Sequence, residues 1–243
     1  MRLLAHAYYA LLRFLFHLLY NEMAWTYDLV SRAVSLGQWR TWGRAALVYT
    51  LGPRVLEIAF GTGDILLDLH KSGFETYGLD LSQHMIGIAH RKLGKAGIAL
   101  PLVCGNACAL PFDDGSFDSI VLTFPTAFVQ QKPALDEMAR VLRPGGRLII
   151  VDRASLQRPR LAARVIEWLY IITGQSCQDD CYGTDWLGRS GWQVAEHEHR
   201  LATSTVHLFV AELVHSSPYT TPLPHGTLLG YNSGGSCIEY SKY

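Results

Sequence analysis

The stretch that decides the fold is VLEIAFGTGDILLDLH, residues 55–70. With Arg54, its first part is a near-continuous apolar run of strand length, the pattern of a strand buried on both faces of a parallel sheet. Gly61 and Gly63 then make a tight turn, and apolar residues recur at helical spacing until Gly73 closes the helix. A strand, a small-residue turn and a helix in direct succession open a βαβ unit whose turn faces a ligand.

The pattern repeats downstream. FETYGLD (74–80), IALPLVCG (98–105), FDSIVLTF (117–124) and RLIIVD (147–152) read as strands. SQHMIGIAHRKLGKAG (82–97), capped by Ser82, and QQKPALDEMARVL (130–142) read as helices, and RPGG (143–146) as a tight turn. LAARVIEWLYIITG (161–174) is helical, and residues 191–215 read as two strands joined by a short turn. Upstream, residues 26–50 form two short helices broken at Gly37, with Thr26 or Asp28 as cap. Alternation of this length predicts an α/β three-layer Rossmann-like sandwich. Its seven-stranded, mostly parallel sheet carries an antiparallel edge hairpin and is preceded by N-terminal capping helices. The expected divisions are a helical segment over 1–50, the main domain over 51–215 and a poorly ordered, aperiodic tail over 216–243.

Lys+Arg and Asp+Glu balance at 21 each, so there is no basic field to recruit nucleic acid. Five cysteines, an odd number, argue against a secreted disulfide framework and for a reducing, cytoplasmic setting. Cys104/Cys108 and Cys177/Cys181 share C-x-x-x-C spacing, but small buried hydrophobes explain them better than a metal site, and no metal is expected. His197 and His199 share a strand face, which is commonly a solvated one. The greasy segment LLAHAYYALLRFLFHLLY (3–20) carries Arg13 near its centre, against a spanning helix, and no cleavage site follows. A helix packed on the domain and an interfacial helix making peripheral membrane contact both remain open.

The chemistry starts at the turn. Asp80 ends the second strand, where a carboxylate can grip both hydroxyls of a ribose. Asn106-Ala107 follows the third strand, where an amide can meet an adenine edge, and Leu81, Met85 and Leu110 supply apolar walls. Taken singly, Asp80 could cap a helix and Asn106 could form an Asx-turn; together they describe an adenosine pocket. A dinucleotide fingerprint wants a third glycine where Leu66 stands, and Glu57 beside the turn would repel a pyrophosphate but accept a cation. A Tyr-x-x-x-Lys pair, which a short-chain dehydrogenase would need, is absent after the fourth strand.

V-L-E-I-A-F-G-T-G, G-L-D-L-S, G-N-A-x-x-L-P-F, S-F-D-S-I-V and R-V-L-R-P-G-G-R-L-I-I-V-D occur in order over residues 54–152 and together resemble a class I S-adenosylmethionine-dependent methyltransferase. YDLVSRAVSLGQWRTW (27–42) is similar to the opening of the ubiquinone/menaquinone C-methyltransferases. The resemblance implies that S-adenosylmethionine is the cofactor. Gly61 and Gly63 would then line its methionine part, Glu57 its amino group, Asp80 the ribose and Asn106 with Ala107 the adenine. Ala59, Leu81, Met85 and Thr123 complete the cofactor-binding set. Ala59 replaces the usual first glycine, at little cost provided its φ stays negative, and Asn106 replaces an aspartate while keeping an acceptor oxygen.

Methyl transfer needs no enzyme nucleophile, although a carbon or phenol acceptor needs a base. Asp152 and Tyr27 are the catalytic candidates, and Tyr27 and Trp42 could lid the pocket. Phe124 and Phe128 suggest a small, apolar or aromatic acceptor such as a quinone precursor or lipid-like molecule. A non-catalytic cofactor-binding protein and a methyltransferase of a polar small molecule are the alternatives.

Overall fold

The first strand, β1 (Arg54–Ile58), is buried at every position after Arg54 and runs through the interior of the sheet. Strand alternation sends Leu56 and Ile58 to one face and Val55 and Glu57 to the other. The computed structural model describes residues 27–156, 185–213, 227–231 and 237–241. Around β1 stand β2 (Glu75–Asp80), β3 (Leu102–Cys104), β4 (Phe117–Thr123), β5 (Leu142–Leu156), β6 (Trp192–Arg200) and β7 (Ser204–Leu213), in the order β3-β2-β1-β4-β5-β7-β6. Pairs among β1 to β5 are parallel, while β7 runs antiparallel to both β5 and β6. The expected sheet with its edge hairpin is therefore present.

The helices are α1 (Tyr27–Val34), α2 (Trp39–Gly43), α3 (Asp64–Lys71), α4 (Gln83–Lys95), α5 (Lys132–Val141) and α6 (Asp185–Arg189), with 3₁₀ turns over Arg44–Val48 and Ala127–Gln130. On one face Trp42, Ala45, Ala46, Ile65 and Leu69 pack on Val55, Val121, Ile149 and Val151. On the other, Ala134, Leu135, Met138 and Val141 of α5 pack on Leu56, Ile120, Leu122 and Leu148. Helices on both faces make the three layers. Gly37 breaks α1 from α2 at φ +80°, its amide bonded to the Arg32 carbonyl at 2.7 Å. Ser82 caps α4 by accepting from the Met85 amide at 3.3 Å.

Three local readings change. RPGG does not separate helix from strand: β5 already begins at Leu142, opposite Phe117, and its pairing resumes with Ser119 opposite Arg147, so residues 143–146 bulge out. Arg143 fixes the bulge by donating to Asp118 at 2.8 Å and to the Gly115 carbonyl at 3.2 Å. Beyond Asp152, β5 continues to Leu156, and the register with β7 slips between Val151 and Arg153. Within 216–243, β8 (Thr227–Tyr231) and β9 (Cys237–Ser241) pair antiparallel in a separate two-stranded sheet. The helix expected over 161–174, the segment 3–20 and the pair Cys177/Cys181 lie outside the described residues. Among the described residues, no helix is long and apolar enough to cross a membrane.

Candidate functional site

The strand order reverses at β1, with β2 on one side and β4 on the other, and a cleft opens beyond the carboxyl ends of these strands, as α/β sheets dictate. The Ala59 amide closes the β1–β2 ladder on the Leu79 carbonyl at 2.7 Å, and the Gly61 amide reaches Asp80 Oδ2 at 2.8 Å. The chain has to reverse between those two bonds. It does so through left-handed residues, Ala59 at φ +57° and Gly61 at φ +56°. The negative φ expected of Ala59 is thus corrected: the alanine sits where an L-residue costs about 1–2 kcal/mol. A Cβ on Gly61 would meet nothing within 4 Å, so its bare face opens outward, whereas one on Gly63 would meet Ala89 Cβ at 2.9 Å. Gly61 permits close approach of a ligand; Gly63 lets α4 pack against the turn.

Two carboxyls flank the turn. Glu57 is 1% exposed, and neither of its oxygens has a hydrogen-bond partner. Burial pushes its pKa well above the usual carboxylate range, and the charges of Asp80 and Asp64 push the same way. The Leu66 amide lies near enough to offset part of this without making a bond of ordinary geometry. Asp80, 7% exposed, is raised by burial too, but amides oppose the rise: Ser82 donates to Oδ1 at 2.8 Å and Gly61 to Oδ2. Asp80 is anchored by amides at both oxygens; Glu57 is not.

The cleft, of about 40 Å³, is lined by Glu57, Ala59, Gly61, Thr62, Asp64 and Thr123 together with Asp28, Trp39, Arg40 and Phe124. Sequence reasoning missed several of these residues. Asp28 accepts from the Thr62 hydroxyl at 2.6 Å, and Lys92 Nζ sits 3.1 Å from both Asp28 and Asp64 and 3.0 Å from Thr62 Oγ1. This lysine therefore ties α1 to the glycine turn. Arg40 grips Asp68 through two bonds, 2.6 and 2.8 Å, and anchors α2 to α3. The pairings span 28 to 64 residues of chain, which no local pattern records.

Of the remaining expected residues, Leu81 is 59% exposed just beyond β2, a large apolar side chain open to solvent. Met85 is buried rather than a wall, and Ala107 and Leu110 belong to the core. Asn106 Oδ1 accepts from the Cys108 amide at 3.0 Å, so its acceptor serves an Asx-turn. Trp42 is buried behind the cleft, donating from Nε1 to Ser204 Oγ at 2.9 Å. Asp152 does not line the cleft; it lies 3.7 Å from Arg153, with burial raising its pKa. Phe128 packs against the core from a half-buried position. The Tyr27 side chain lies outside what is described. His197 stacks on Tyr49 at 4.6 Å, and among the described residues no cluster of His, Cys, Asp and Glu could hold a metal.

This is the layout of a methyltransferase-type α/β domain: a small-residue turn, a buried acid beside it and an aspartate at the end of the next strand. The chain belongs to the ubiE/COQ5 methyltransferase family, whose profile matches residues 14–193. It is 38% identical over 140 residues to a demethylmenaquinone methyltransferase of Thermus thermophilus, covering 55% of this chain and 64% of the relative. With the demethylmenaquinone methyltransferase of Mycobacterium tuberculosis it shares 37% over 155 residues, covering 62% and 64%. The match thus spans less than two thirds of either relative's length. In fold it is similar to geranyl diphosphate C-methyltransferase from Streptomyces coelicolor (TM-score 0.54, 13% identity, 72% of this chain and 79% of that one). It is also similar to Haemonchus contortus phosphoethanolamine N-methyltransferase 2 (TM-score 0.53, 16% identity, 71% and 52%).

Proposed function

We propose that this protein transfers a methyl group from S-adenosylmethionine to a small quinone-like acceptor. The observation that carries the reading is Glu57, a buried carboxyl with both oxygens unpartnered in the wall of a cleft at the switch point of the sheet. An unpaired buried polar group of this kind costs about 1–3 kcal/mol, and a ligand ammonium relieves it while a pyrophosphate would not. Asp80, held rigid by two amides, is placed for ribose hydroxyls, and exposed Leu81 beside it offers an apolar face to a base. Asn106 meets the adenine side with its NH₂ group, since its oxygen is engaged.

When bound, S-adenosylmethionine supplies an electrophilic methyl group on a sulfonium centre. The chain orients the acceptor and keeps water out, and such placement can contribute about 7–11 kcal/mol. A cleft of about 40 Å³ is well short of the few hundred that a small-molecule site occupies, so entry asks the α1–α2 cap to shift. Membership of the ubiE/COQ5 family and the names of the curated relatives support a quinone-like acceptor.

A labelled-methyl assay with a demethylated naphthoquinone tests the reading: product should carry one label and depend on S-adenosylmethionine. Thermal melts should rise with S-adenosylmethionine and not with NAD, since only a ligand of the native state raises them. Label appearing solely on a polar soluble acceptor would overturn the quinone assignment, and a rise with NAD alone the cofactor. Peripheral membrane contact through residues 3–20 would bring a lipophilic acceptor to the site; vesicle partition with residues 1–22 deleted should then fall.

A further inference from the structure

We propose that Trp39 and Phe124 form the wall against which the acceptor's ring lies, which makes Trp39 a specificity-determining residue for planar aromatic acceptors; this rests on the methyl-transfer reading above. The two rings stand 4.3 Å apart at 36°, and both line the cleft. Both rings also meet buried Trp42, at 6.4 and 6.3 Å. Trp42 is itself fixed by its bond to Ser204, whose hydroxyl donates in turn to Gln38 Oε1 at 2.9 Å, next to Trp39 in sequence. Gly43 lets this unit sit close: a Cβ there would meet Ile65 Cδ1 at 2.8 Å. The aromatic pair thus has a rigid back and borders the cleft.

Topology separates this wall from the donor's adenosine. Asp80 ends β2, and Leu81 and Asn106 follow β2 and β3, on one side of β1, whereas Phe124 follows β4, on the other. Phe124 is also held left-handed, at φ +51°, immediately after its amide bonds the Val151 carbonyl at 2.8 Å. Backbone strain clusters at ligand sites, and here it fixes Phe124 at the edge of the cleft. Flat aromatic rings stack offset on such walls, a quinone ring among them.

The test uses the full chain saturated with S-adenosylhomocysteine and titrated with 1,4-naphthoquinone, followed by tryptophan fluorescence quenching. Trp39→Leu, which keeps bulk and removes the ring, should weaken quinone binding about tenfold and leave the cofactor-induced rise in Tm unchanged. Trp39→Phe and the parent should agree within about threefold, and Phe124→Leu should weaken the quinone in the same sense as Trp39→Leu. If Trp39→Leu binds the quinone as the parent does, the wall is wrongly assigned. If it weakens S-adenosylhomocysteine as much, the rings serve the cofactor instead, and the proposal falls. A parent whose Tm ignores S-adenosylmethionine and S-adenosylhomocysteine overturns the methyl-transfer reading, and this inference with it.

Discussion

Replacing Glu57 with glutamine should stabilise the empty protein above neutral pH and weaken the donor. Glu57 is 1% exposed with both oxygens unpartnered, and the charged groups around it are mostly acidic: Asp80, Asp64 and Asp68. The nearby cations are engaged elsewhere, Arg40 with Asp68 at 2.6 Å and Lys92 with Asp28 and Asp64 at 3.1 Å. Burial therefore raises the folded pKa well above the unfolded value of 4.5. The sign follows from linkage: Glu57 supports the fold fully below the unfolded pKa, and that support is lost as pH rises through the folded one. Glutamine imitates the protonated acid and does not titrate. Parent and Glu57→Gln should melt together near pH 4.5 and diverge upward, with the variant ahead by about 2 kcal/mol once the parent carboxyl ionises unpaired. At about 2–4 °C per kcal/mol for a chain of this size, the gap is about 4–8 °C. Asp152 titrates in both proteins, so the difference between the two curves reports Glu57 together with the carboxyl coupled to it, Asp80. With saturating S-adenosylmethionine the gap should close or reverse, because a charge-assisted bond worth about 1.5–3 kcal/mol is lost, a weakening of about 10- to 150-fold. Melts from pH 4.5 to 8.5, with and without donor, suffice. Parallel curves, or a variant less stable than the parent at pH 8 without donor, would refute the claim that the carboxyl lacks a partner.

Ala59→Gly removes a left-handed alanine, gaining about 1–2 kcal/mol, offset by about 0.4–1 kcal/mol of extra freedom in the unfolded chain. Denaturant titration should show the variant no less stable than the parent, and a loss above about 1 kcal/mol would mean the methyl group packs in earnest. Asp80→Ala frees the Gly61 and Ser82 amides and the ribose grip together, so donor affinity measured by calorimetry should fall at least about tenfold, and undiminished affinity would mean the pocket is wrongly placed. Ser119→Ala should cost about 1–3 kcal/mol in chemical denaturation, because the buried Ser119 hydroxyl bonds both the amide and the carbonyl of Leu51 at 2.8 Å.

How much of this was legible depends on the reach of each interaction. β1, its turn and α3 could be read because a strand buried on both faces must be continuously apolar and because the turn between them leaves room only for small residues. Glu57 stood out for the same reason: a carboxylate inside an apolar run has few structural excuses. The cap is different. Asp28, Trp39, Arg40 and Lys92 look like ordinary surface and helix residues until α1 and α2 fold onto the turn; Asp28, Arg40 and Lys92 find partners 28 to 64 positions away, and Trp39 meets Phe124 at 85. Their types carry no period, so no window of sequence could pair them. Ala59 lies between the two cases. Its position was readable and its conformation was not, because φ there is set by two bonds to β2, Ala59 N–H to Leu79 O and Gly61 N–H to Asp80, and not by its neighbours in sequence. Phe124 repeats the arrangement one strand over, left-handed after its amide bonds Val151. Two adjacent strands thus end in strained residues that face one cleft, with the unpartnered acid Glu57 in its wall. Strain and an unpartnered acid at the same spot are costs that folding alone does not require, which is why we propose the cleft, and not the sheet beneath it, as the seat of this chain's function.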